Sequence, residues 1–132
     1  MERRTINPWH WQDALGYAQA VEVSHARHTL HCAGQAAMSA DGRPQHAGDM
    51  GAQLALALDN LEAVLRHAGY ALGDVVRLDY YTTDVDACFA QYLAHAAPRL
   101  AAAGCRAAAT LVGVTRLAFP ELLVEVAATA AR

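Results

Sequence analysis

DMGAQLALALDNLEAVLRHAG, residues Asp49 to Gly69, repeats apolar side chains at Leu54, Ala57, Leu58, Leu61, Val64, Leu65 and Ala68. That is the i, i+3, i+4, i+7 spacing of an amphipathic α-helix. Asp49 stands where a side-chain oxygen can accept from the first unpaired N–H groups, and Gly69 where the left-handed C′ position favours glycine. The stretch therefore predicts a helix over Met50 to Ala68 with a stop signal at each end. Working outward, a second helix is predicted to start after Asp84 or Asp86 and to bury Phe89, Tyr92, Leu93 and Ala96. Pro98 removes a backbone donor from it and predicts a kink or an early end.

Strand patterns occupy Gly16 to Ser24, His28 to Gly34, Val75 to Thr82, Ala107 to Leu117 and Leu122 to Ala130. The order β-β-α-β-α-β-β gives each helix one apolar stripe to bury and a mixed sheet to bury it against, an α+β architecture with two long helices on one face. Between the second strand and the first helix, Ser39 to Gly48 holds Asp41-Gly42, Pro44 and Gly48 and reads as an exposed connection. The alanine-rich strand at Ala107 to Thr110 offers little side chain to pack. Either another backbone or subunit closes on it, or it shares the chain's general alanine bias.

The 132 residues, 55% apolar and 17% charged, suit one domain over residues 1 to 132 with a core of its own, and no apolar run is long enough for a membrane span. Met1 to Trp11 lacks the apolar segment of a signal peptide, so a cytoplasmic location is expected. Cys32, Cys88 and Cys105 have no paired spacing and read as reduced, buried thiols. A net charge of −3 provides no basic stripe for nucleic acid. Every basic side chain is arginine; the absence of lysine excludes a lysine Schiff base and a P-loop lysine. The only serines, Ser24 and Ser39, lie outside any G-x-S-x-G elbow.

His25, His28, His31 and Cys32 supply zinc-type donors, but strand alternation sends His28 and Cys32 to one face and His31 to the other, so no metal site is expected. Glu125 interrupts the run Leu122-Leu123-Val124-Glu125-Val126. Alternation sets it opposite Val124 and Val126, as a partly buried carboxylate able to act as acid, base or water-holder, or as an outward residue on a half-solvated sheet. Tyr80 and Tyr81 read as sheet aromatics.

Taken in order, Gly16-Tyr17-Ala18-Gln19-Ala20, Ala33-Gly34-Gln35, Gln53 with Leu58-Asp59-Asn60-Leu61, Ala68-Gly69 with Asp74-Val75-Val76-Arg77-Leu78, Gly113-Val114-Thr115-Arg116-Leu117 and Val124-Glu125-Val126 resemble the RidA/YjgF family over nearly the whole chain. The resemblance implies a chorismate-mutase-like fold and a homotrimer whose sheets form a central barrel with three intersubunit clefts. It also implies hydrolytic deamination of small enamines or imines without a cofactor. In that pattern Glu125 positions the attacking water, while Tyr17 and Gly34 line the substrate pocket. The family's carboxylate-gripping arginine is missing, because the matching position is Ala109 and the nearest arginine, Arg106, lies three residues earlier. An odd offset along a strand turns a side chain to the opposite face, so Arg106 reaches the pocket only if the chain bulges. Ala33 replaces the serine of the family's S-G-Q turn, and the pocket asparagine expected early in the second helix has no match.

Two functions follow. One is a deaminase of a small enamine, imine or related compound, with Glu125 orienting water; the other is an inactive trimer that binds a small molecule in the same cleft. A ribonuclease, the family's older designation, fits poorly with an acidic chain that offers no basic groove.

Overall fold

The computed structural model describes residues Met1–Arg132. The first helix, α1, runs Met50–His67. Asp49 accepts a hydrogen bond from Ala52 N at 3.0 Å. At the other end Tyr70 N donates to Leu65 O and Gly69 N to Arg66 O, the paired bonds of a Schellman turn, with Gly69 at φ +80°. The buried stripe holds the expected Leu54, Ala57, Leu58, Leu61 and Leu65 and adds Met50 and Gln53, while Ala68 is exposed.

The strands are β1 (Glu2–Ile6), β2 (Ala20–Ser24), β3 (Thr29–Ala36), β4 (Val75–Thr82), β5 (Ala108–Gly113) and β6 (Val124–Ala131). Four of them form a mixed sheet in the order β3-β6-β4-β5, antiparallel except for the parallel β4–β5 pair; β1 and β2 form a separate antiparallel ribbon. Periodicity missed β1, whose ERRTI sequence has no apolar alternation and is mostly exposed. It is held by arginine instead: Arg3 donates to Ala131 O at 2.8 Å and pairs with Asp74 at 3.5 Å.

Along β6, Val124, Val126, Ala128 and Ala130 are buried against the helices, so Glu125, Ala127 and Thr129 face the other side of the sheet. β5 stops at Gly113, short of the expected Leu117, and is an edge strand. A neighbouring backbone joins its start, where Ala18 N donates to Ala107 O at 3.0 Å and Ala18 bridges Ala108.

The second helix departs most from expectation. It consists of α2 (Val85–Gln91), a π turn (Tyr92–Ala96) and α3 (Ala97–Ala102). Pro98 does not end it. The chain widens by one residue just before the proline, with Ala97 N bonding to Tyr92 O, and the helix carries on past the missing donor. The buried side chains also differ from those expected. Cys88, Tyr92, Ala96 and Leu100 are buried, whereas Phe89 and Leu93, expected in the core, are about 40% exposed.

Candidate functional site

Glu125 and Gly34 meet on the sheet face away from the helices. The β3–β6 register slips between Cys32 and Gln35, and this bulge places Gly34 beneath Glu125. A β-carbon on Gly34 would lie 1.8 Å from Glu125 Oε1 and 2.8 Å from its Cγ, so the carboxylate arm is laid across bare backbone. Only glycine permits that approach.

Two polar residues of α1 hold the strands that carry this pair. Gln53, fully buried, donates to Glu121 O at 2.8 Å and His46 O at 3.1 Å and accepts from Leu123 N at 2.8 Å, fixing the entry into β6 two residues before Glu125. Asn60 donates to Ala36 O at 2.8 Å and Met38 O at 3.0 Å, fixing the exit of β3 two residues after Gly34. On the same open face Arg77 donates to Asp79 at 2.6 Å and to Thr110 Oγ1 at 2.7 Å.

Tyr17 and Ala109 come together elsewhere. With Leu15, Tyr80, Phe89, Tyr92, Thr110 and Leu111 they line a cavity of about 180 Å³ between the chain before β2, the β4–β5 edge and α2. Gly16, at φ +81°, turns the chain so that Leu15 O accepts from Tyr92 Oη at 2.7 Å, which clamps this wall to the helix. Tyr80 and Tyr92 pack edge to face at 5.4 Å. Burial pushes the Tyr92 phenol up to about 12 and the Tyr80 phenol well above its ordinary value.

Arg106 joins neither group. It is exposed, 3.5 Å from Asp13, beside Gly16, Gly104 and Cys105. No bulge turns it inward, and Ala109 takes the cavity position. Cys32 faces the core, whereas His25, His28 and His31 are exposed, and no cluster of metal donors forms. The cavity residues that sequence patterns did not single out as site residues are Leu15, Tyr80, Phe89, Tyr92, Thr110 and Leu111. Alternation identified Tyr80 as a strand aromatic but held no sign that it walls a cavity, and Phe89, expected in the core, stands on that wall instead.

The sequence profile of the family described as Endoribonuclease L-PSP matches residues 11–132. No curated protein matches the chain significantly. Among solved structures, the chain is similar to a protein of unknown function of the conserved Rid family, YyfB from Yersinia pestis, with 39% identity, all of both chains covered and a TM-score of 0.90. It is also similar to the E. coli YjgF gene product, at 26% identity over 88% of this chain and 87% of that one, TM-score 0.70. E. coli TdcF, solved with bound serine, shares the fold at 24% identity over 88% and 87% of the two chains, TM-score 0.70.

Proposed function

The chain belongs to the RidA/YjgF family, also called Endoribonuclease L-PSP, and from that premise we propose that it is a hydrolytic deaminase of a small enamine, imine or related compound, working at clefts between subunits of a homotrimer. The observation that carries this reading is the Glu125 carboxylate lying over Gly34 on the open face of the sheet. In a RidA-like reaction, Glu125 takes a proton from water as the oxygen bonds to the imine carbon. That proton then goes to nitrogen, giving a carbinolamine, whose hydroxyl passes a second proton to the nitrogen as the carbon–nitrogen bond breaks, so that ammonia leaves and a carbonyl compound remains. No cofactor is needed for these steps.

Within one chain the cavity of Tyr17 and Ala109 and the pair of Glu125 and Gly34 stand apart, on the helix side and the open side of the sheet. A trimer in which one subunit's open face meets the next subunit's β5 edge brings the two halves into one cleft. The serine seen in TdcF supports a small molecule as partner for this fold. The net charge of −3 supports no role in binding nucleic acid.

Ammonia release from freshly generated imines tests the reading. The wild type is expected to turn over at least one member of the panel, and Glu125→Gln to lose about a hundredfold or more. Equal trace rates from both proteins would favour the second reading, an inactive trimer that binds a small molecule. Ala109 is the specific observation on that side, since it leaves the cavity without the family's guanidinium.

A further inference from the structure

Glu125 stands on β6, with β3 on one flank and β4 on the other. The two flanks offer it opposite surroundings. Toward β3 the bulge presents Gly34, the bare backbone over which the carboxylate arm lies. Toward β4 its register partner is Tyr81, which alternates with the buried Tyr80 and Thr82 and so shares the open face with Glu125. Side chains paired this way across an antiparallel ladder have β-carbons about 4.5–5.5 Å apart. A phenol ring at that distance takes the volume the arm would need to lean toward β4.

Tyr81 is bracketed in its turn. Its register partner on β5 is Val112, which borders the ring on the side away from Glu125. Along β6 the next residue on the open face is Ala127, too small to direct the arm. Within the sheet, charge does not direct it either. Arg77, the arginine on this face, is held by Asp79 at 2.6 Å and Thr110 Oγ1 at 2.7 Å. It also stands about 13 Å along β4 from Tyr81. Shape is what remains: a ring on one flank of Glu125 and no side chain at all on the other.

We propose that Tyr81 is the positioning residue of Glu125, its ring closing the β4 flank so that the carboxylate arm folds over Gly34 and holds water in one place. The ring does this and not the hydroxyl, so phenylalanine serves as well as tyrosine and a small side chain does not. The inference rests on Glu125 as the water-holding residue of the deaminase reading, but the direction of its arm is measurable without turnover.

The nuclear Overhauser effect between Glu125 Hγ and Gly34 Hα reads that direction in the full chain, since a β-carbon on Gly34 would lie 2.8 Å from Glu125 Cγ. The effect is expected in the wild type and in Tyr81→Phe, and lost in Tyr81→Thr, whose β-branched side chain keeps the strand. Tyr81→Ala repeats the measurement should the threonine variant fail to fold. In ammonia release, Tyr81→Thr is expected to lower kcat at least about tenfold with KM within about twofold, and Tyr81→Phe to keep the wild-type rate. A folded Tyr81→Thr that retains the contact overturns the proposal, as does a Tyr81→Phe that loses it. A lost contact with ammonia release unchanged overturns it too, because the direction of the arm would then not matter to the reaction. A protein that releases no ammonia but shows the expected contacts counts against the deaminase reading and leaves the hold of Tyr81 on Glu125 standing.

Discussion

Glu125 Oε1 occupies space that any β-carbon at position 34 would claim. Gly34 does not have a positive φ, so alanine there strains no backbone; it collides with the side chain lying above it. The carboxylate arm has free rotors and a half-exposed position, which lets it swing aside at little cost to folding. Gly34→Ala is therefore expected to change stability by less than about 1 kcal/mol in urea denaturation. Turnover is a different matter, because a misplacement on the order of 1 Å in a group that aligns water can cost about a hundredfold. A variant that unfolds like the wild type but keeps full ammonia release would show that the carboxylate's resting place on Gly34 is not where it works.

One scale up, the elements that hold this pair were only partly readable. The α1 stripe was legible in full at its centre because Leu54, Leu58, Leu61 and Leu65 obey one period between two capping signals. The second helix was not, because a π turn at Tyr92–Ala96 breaks the period in its middle, which no fixed-period pattern registers, and because Phe89 stands on the cavity wall, about 40% exposed, and not in the core. Glu125 stood out as a charge in an apolar run, and the bulge beneath it was invisible, since slipped register is a property of two strands and not of one. Gln53 shows the same limit in a polar residue. It sits at an apolar position of α1, fully buried, and its three hydrogen bonds tie His46, Glu121 and Leu123 together. Gln53→Leu keeps the volume but strands those backbone groups, and is expected to lower stability by about 2–4 kcal/mol in urea denaturation, with faster hydrogen exchange at Leu123 N. A loss below about 1 kcal/mol would mean that the loop into β6 re-pairs without it.

For the whole molecule, the decisive question is whether a complete site requires two chains. The helices cover one face of the sheet only, leaving Arg77, Tyr81, Glu125 and Thr129 half-buried on the other, and β5 is an edge strand with Thr110 and Val112 exposed. An open face and an unpaired edge are surfaces that association can use. If the trimer joins them, each cleft takes its cavity from one subunit and its Glu125 from the next. Two different defects then complement each other. Glu125→Gln keeps a good cavity, and Ala109→Phe fills the cavity of about 180 Å³ but keeps the carboxylate. Each homotrimer is expected to be inactive, while random co-assembly in equal amounts pairs an intact cavity with an intact carboxylate in about one cleft in four, restoring about a quarter of wild-type ammonia release. Light scattering on the same samples should give three times the 14.1 kDa chain mass. Trimers that stay inactive when mixed would place both halves of the site on one chain, and a stable monomer with full activity would remove the intersubunit cleft altogether.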